Sequence, residues 1–403
     1  MKRYNPVFYY VALANFLFFL GNSFYILLPV FLKNIGASES YIGVMNNIDK
    51  IFIILAAVTI GSLMRGRDRV ALLRTGYLVL ALAYASYCLI SSLTWGILAI
   101  RILHGIGFSF SMIIGTTIVF DIVAIEDATE AIGIYGVSGA LSNAVSPFVG
   151  ELFLSNGFSF KFIFFLSAVM VLISLAITFI MPRPAVRAVD AVPSAGNGTL
   201  GLLARPKYLL VSLATVIFGG GFGVIITYLP NFIRTTTRFQ FSYFFVIYIA
   251  VLIVIRFTFI RIISRIDRKI LLMAVFAAGA LMYLLLNFLG SLAMLFLVSV
   301  MYGFTHGILY PVLNTVTVSL VDTHERGRAN ALFTACFTGG MMVFALSLGF
   351  LIDRTGTYLA AFNICSAAFA AAILLIWAVT ARFGSLDTVE GIKPGTEMIE
   401  PGP

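Results

Sequence analysis

Charge is scarce in this sequence. Asp, Glu, Lys and Arg make up 11% of its 403 residues, whereas apolar residues make up 61%. A soluble domain carries charge on about a quarter of its residues to dress its surface, so that class is excluded. Cysteine is nearly absent, with Cys88, Cys336 and Cys365 at no paired spacing. A disulfide framework is excluded, and the three thiols read as packing residues. Ten-residue segments of alternating polarity are missing, which removes a transmembrane barrel. A phosphate-binding glycine loop, a metalloprotease helix and a nucleophile elbow are missing too, so ATP-driven pumping and the common hydrolases lack support, and no catalytic residue, metal site or cofactor is expected.

What the chain has instead is long apolar runs. Twelve stretches, roughly 7–32, 41–64, 71–90, 94–120, 131–154, 159–181, 208–233, 241–263, 270–290, 292–320, 329–352 and 358–381, match the ~20 residues a helix needs to cross a bilayer at ~1.5 Å per residue. Thirty-five glycines suit close helix packing in lipid. The chain also repeats itself. Leu28-Pro29-Val30-Phe31-Leu32-Lys33 returns as Leu229-Pro230-Asn231-Phe232-Ile233-Arg234. Ser40-Tyr41 returns as Ser242-Tyr243, His104-Gly105-Ile106 as His306-Gly307-Ile308, and Gly150 with Leu152 as Gly349 with Leu351. Echoes in order at a nearly constant offset of about half the chain mark a duplication, the pattern of a transporter built from two similar bundles. The expected fold is an all-α membrane protein with twelve transmembrane helices in two pseudo-symmetric six-helix bundles.

This divides the chain into an N-terminal bundle (1–181), a cytoplasmic linker (182–206), a C-terminal bundle (207–382) and a disordered cytoplasmic tail (383–403). Pro182, Pro184, Pro193 and Pro206, with Ser194 to Gly198, break the apolar pattern in the linker. With six spans per half, both halves enter and leave on one side and are parallel repeats. If that side is cytoplasmic, eighteen Lys and Arg residues lie on it against five outside, with Lys50, Arg101 and Arg256 within spans. The positive-inside rule therefore places both termini in the cytoplasm. The +9 net charge follows from this asymmetry and implies no nucleic-acid partner. Met1-Lys2-Arg3 before an apolar run imitates a signal peptide, but the run is too long and begins one copy of the repeat, so it reads as a retained span.

Arg101-Ile102-Leu103-His104-Gly105-Ile106-Gly107, the fifth-span series Gly133, Ser142, Ser146-Pro147 and Gly150, and the loop Ser264-Arg265-Ile266-Asp267-Arg268-Lys269 resemble the major facilitator superfamily over about 375 residues. The sugar-efflux and drug-efflux branches are the look-alikes. The fifth-span series resembles the family's Gly/Pro antiporter motif, although Glu151 ends it. The resemblance implies gating roles for Arg65, Arg69, Arg256, Arg265, Arg268 and Pro147. In the basic loops the family's acid is displaced: Ser264 stands in its place, and the first-half loop carries Asp68 out of register. A substitute lock by Asp121, Glu126, Asp127 or Glu130 competes with their being a solvated charge run.

Arg101 sits about seven residues into the fourth span, where an unpaired cation costs several kcal/mol. Asp49 lies at a similar depth in the second span, so the two can form a buried pair. That pair is either a static packing element or a proton-coupling site, with Lys50 competing for Asp49 or snorkelling outward. Asn22, Tyr25, His104, Thr227, Tyr228, His306, Tyr310 and Asn314 are candidates to line a central cleft, the two histidines because their spans, four and ten, do so in the resembling family, and the others as uncharged polar groups within spans. Pro29 and Pro230 are expected to bend their helices, and Gly219-Gly220-Gly221 with Gly223 to loosen the seventh span. The function expected is a secondary transporter moving a small organic or amphiphilic solute by alternating access, as a monomeric proton-coupled efflux antiporter of a bacterial inner membrane. An uptake carrier, including one for a metal, a lipid flippase, and a non-transporting receptor or scaffold stay open as alternatives.

Overall fold

A computed structural model describes residues 4–63, 67–123, 128–182, 200–255, 266–322, 325–384 and 386. Among the described residues the regular elements are all helical, and they form the two six-span halves of a multi-pass membrane protein, the first two spans each being broken into two helices. In the N-terminal half these are α1 (Pro6–Ser23), α2 (Leu28–Asn34), α3 (Glu39–Asn47), α4 (Asp49–Leu63), α5 (Arg69–Tyr87), α6 (Gly96–Ile122), α7 (Ala128–Ser155) and α8 (Phe160–Ile180). The C-terminal half holds α9 (Pro206–Thr236), α10 (Ser242–Val254), α11 (Arg268–Leu285), α12 (Leu292–Ser319), α13 (Arg326–Thr355) and α14 (Tyr358–Phe383). Among the described residues, nine helices are long and apolar enough to cross a membrane. Arg65, Arg256, Arg265, Glu126, Asp127, most of the linker and nearly all of the tail lie outside the described residues.

Local chemistry sets the helix ends. Asn5 caps α1 by accepting from the Val7 amide at 3.0 Å, with Pro6 in the first turn where a missing N–H costs nothing. Asp68 caps α5, accepting from Val70 N at 2.8 Å, and Asp267 caps α11, accepting from Lys269 N at 2.9 Å. Asp68 is the acid that falls out of register with the expected gating pattern, and like Asp267 it closes the start of its own helix. The expected bend near Pro29 takes the form of a 3-10 turn, Phe24–Leu27, just before it, whereas Pro230 sits inside an uninterrupted α9. The glycines of α9 serve close approach to α13. A Cβ at Gly223 would lie 2.6 Å from Met341 Cα, and one at Gly219 would overlap the Phe337 carbonyl. Small residues there let two backbones meet.

Within each half the helices pack on their neighbours, α5 on α6 and α8, α9 on α13 and α14. Between halves, α3 lies along α13 and α7 along α10, the two pairings being copies of one another under the repeat. The helix ends Pro6, Ile180, Pro206 and Phe383 share one side of the bundle, here the terminal side; the opposite side is the far side. α6 with α13, and α7 with α12, make no comparable contact among the described residues.

Candidate substrate cavity and gate

The second span is broken at Ile48, between α3 and α4. The break puts Asp49 in the first turn of α4 and leaves the Asn46 carbonyl, which accepts from both Lys50 Nζ at 3.2 Å and Arg101 Nη2 at 3.1 Å. Arg101 on α6 reaches the same point because Gly105, one turn along, permits close approach; a Cβ there would meet Asp49 O at 2.8 Å. Arg101 Nη2 lies 2.7 Å from Asp49 Oδ1, and Lys50 Nζ lies 3.2 Å from the same oxygen. One carboxylate thus serves two cations. Arg101 Nη1 is 3.0 Å from His104 Nδ1, and His104 Nε2 is 3.0 Å from Asn22 Oδ1. A guanidinium only donates, so Nδ1 accepts and the imidazole is neutral, carrying its proton on Nε2 towards Asn22. Tyr84 OH donates to the same Asn22 oxygen at 2.8 Å. Tyr25 stacks on Tyr84 at 4.4 Å and meets the His104 ring edge-on at 4.9 Å.

This cluster forms one wall of a cavity of about 310 Å³ between the halves. The charged lining residues Asp49, Lys50 and Arg101 come from the N-terminal half, with Asn22, Asn46, His104 and Asn143 beside them. The opposite wall is Phe222, Ile226, Phe245 and Met341, relieved by Tyr248 and Thr338. His306, the repeat copy of His104, stands behind that wall: Tyr248 OH is 2.6 Å from its Nδ1, and Phe222 packs on it at 4.7 Å. The copies differ because Arg101 has Gly303 as its counterpart 202 residues on.

Of the other expected residues, Thr227 is buried outside the cavity lining, its hydroxyl accepting across the halves from Asn46 Nδ2 at 3.0 Å and Asn47 Nδ2 at 3.2 Å. Tyr228 is buried at the seam between halves and donates to the carbonyls of Glu39 and Ala345. Tyr310 packs against Phe333 and Phe337, and Asn314 is half-buried on α12; neither is in the cavity lining. Asp121 pairs with Arg69 inside the N-terminal half, so this acid braces α5 to α6 and does not bridge the halves. Pro147 is buried within α7, and Arg268 opens α11 on the terminal side.

The far side is closed by a device that sequence reasoning missed. Asp353, at the end of α13, accepts from the backbone amides of Glu39 (2.7 Å) and Ser40 (2.8 Å) at the start of α3. Glu151, near the end of α7, accepts from those of Phe241 (3.3 Å) and Ser242 (2.9 Å) at the start of α10. Glu151 and Asp353 are 202 residues apart, as are Ser40 and Ser242. The same carboxylate cap on a helix N-terminus of the other half is therefore built twice. Glu39 adds bonds to Tyr358 OH and, at 2.6 Å, to Lys33, and Asn231 Nδ2 donates to Pro29 O at 3.2 Å.

Two apolar helical halves around a cavity with buried charges define a membrane carrier rather than an enzyme. The family model described as Major Facilitator Superfamily matches residues 11–345, and the chain belongs to that superfamily. Among solved structures, the nucleoside transporter NupG is 13% identical over 94% of this chain and 99% of its own, with a TM-score of 0.78. A D-xylose–proton symporter is 14% identical over 92% and 97%, with a TM-score of 0.73. A bacterial homologue of the human lysosomal transporter Spinster, in an inward-facing and unoccupied conformation, is 14% identical over 93% and 95%, with a TM-score of 0.68. No curated protein matches the chain in sequence.

Proposed function

We propose that the chain is a proton-coupled secondary transporter of a small organic solute, with Asp49 as the proton acceptor. The observation that supports this reading is the single carboxylate shared by Arg101 and Lys50 on the cavity wall. A proton on Asp49 takes their counter-charge away, so the charge of both cations is left to the cavity and the Asp49 link between α4 and α6 is lost. Arg101 keeps the neutral His104 and the Asn46 carbonyl as acceptors, which hold it in place while Asp49 is neutral. The static alternative, a pair that only fixes helix packing, is the competing outcome of the tests.

Alternating access rests on the gate. The paired caps of Asp353 and Glu151 hold the far side shut, and rocking the halves apart requires both to release. With the basic loops cytoplasmic, the terminal side is cytoplasmic and the conformation is inward-facing, in a monomer of a bacterial inner membrane. The partial Gly/Pro series of α7 favours efflux by exchange for protons. In proteoliposomes with a trapped pH dye, a small-solute panel under an imposed pH gradient is expected to move protons only when a transported solute is present. Exchange moves protons against the solute and cotransport moves them with it. Solute flux indifferent to the pH gradient would sink the coupling.

A further inference from the structure

We infer that the solute carried in this cavity is an organic anion with an apolar body. The inference rests on the transporter reading and deepens it. Asp49 supplies one negative charge to a site where Arg101 and Lys50 supply two positive ones, and the hydrogen-bond pattern keeps His104 neutral. The cavity-lining residues contain no other acid among the described residues, so the site carries a surplus of one positive charge. The surplus is buried: the Arg101 side chain is 3% exposed and that of Lys50 15%. A cation at such depth is costly unless it is paired or faces water.

A carboxylate or phosphate entering the cavity supplies the missing charge. It does so best as a carboxylate accepting from a guanidinium fork, with Lys50 as a point charge beside it. The wall opposite, Phe222, Ile226, Phe245 and Met341, offers no charge and takes an aliphatic or aromatic body. At about 310 Å³ the cavity lies at the small end of ligand sites, which span roughly 300–1,000 Å³. The solute is thus of metabolite size.

The test uses three probes that share one body and differ only in charge: 3-phenylpropionate, 3-phenylpropan-1-ol and 3-phenylpropylamine, with acetate as the bodiless anion. The purified full chain is followed by thermal stability, and its proteoliposomes by uptake. The propionate is expected to raise the melting temperature and to be transported, with at least ten-fold higher affinity than the alcohol; the amine and acetate are expected to do neither. Lys50→Gln leaves the Asp49–Arg101 pair intact, so this variant is expected to stay folded and to lose the preference of propionate over alcohol. If the alcohol or amine is the one bound and moved, the anion assignment falls while the transporter reading stands. If none of the three binds, the assignment falls as well, and the transporter reading is then judged by the proton-flux panel. A Lys50→Gln variant that keeps the full preference for propionate overturns the role of the surplus charge.

Discussion

Asp49→Asn is expected to be far more destabilising than Arg101→Gln, although the two residues face each other. Removing Asp49 leaves Arg101 and Lys50 as two buried like charges with no counter-ion, a loss on the order of 3–5 kcal/mol for breaking a buried pair. Removing Arg101 leaves Asp49 still bonded to Lys50 at 3.2 Å. That variant loses about 1–3 kcal/mol, the cost of buried groups left without a partner. The double variant Asp49→Asn with Arg101→Gln keeps a single cation, and is expected to recover most of the stability of Asp49→Asn. On the proposed role of Asp49 as proton acceptor, it is not expected to recover transport. Thermal melting and proteoliposome flux on the same three proteins check this. Equal losses from the two single changes would mean that Lys50 shares nothing with the pair, and restored flux in the double variant would make the pair a packing element alone.

The second large effect is expected at the far-side gate. A carboxylate capping a helix N-terminus contributes about 0.5–2 kcal/mol, with a further ~0.3–1 kcal/mol from the helix dipole. The Glu151 and Asp353 caps lie on different helix pairs and share no partner, so their effects should add. Replacing both by Ala is expected to shift the equilibrium towards the far-side-open state by about 2–6 kcal/mol, roughly 30-fold at the least. Spin labels at Asn156 and Arg238, exposed far-side positions in opposite halves, report the change as a population at longer separation. Each single variant should give an intermediate shift, since either remaining cap still ties the halves. An unchanged distance distribution in the double variant would show that the caps are not the latch.

Much of this architecture was legible beforehand, for physical reasons that also mark the limit. Spans follow from apolar run length, and the duplicated halves from residues spaced at a constant offset. The equal depth of Asp49 and Arg101 follows from helical rise alone. The break at Ile48 was not legible, because nothing in Asn46-Asn47-Ile48-Asp49 forbids a continuous helix; the break is visible only through the carbonyl of Asn46, which side chains from α4 and α6 occupy. His104 and His306 looked equivalent as repeat copies. Their surroundings differ because Gly303 offers no charge where Arg101 does, so His306 rests among aromatic rings. Tyr84 carries no signal in the sequence, since a tyrosine in an apolar span has no distinctive spacing, yet it shares Asn22 with His104. The caps of Glu151 and Asp353 depend on which helices meet across the halves. Their signal was nonetheless present: two acids ending apolar helices, 202 residues apart, matching the offset of the serines they cap.

The central claim is that a proton on Asp49 governs which side of the carrier is open. Its most direct test is the distance between spin labels at Asn156 and Arg238 on the far side, and at Arg67 and Ile266 on the terminal side, measured at pH 8 and pH 5. In the parent, the two distances are expected to change with pH in opposite senses, one pair separating as the other closes. In Asp49→Asn the response is expected to be much smaller, leaving only what protonation of the Glu151 and Asp353 caps contributes. Distances that do not respond to pH in the parent, or that respond equally in Asp49→Asn, would contradict the account.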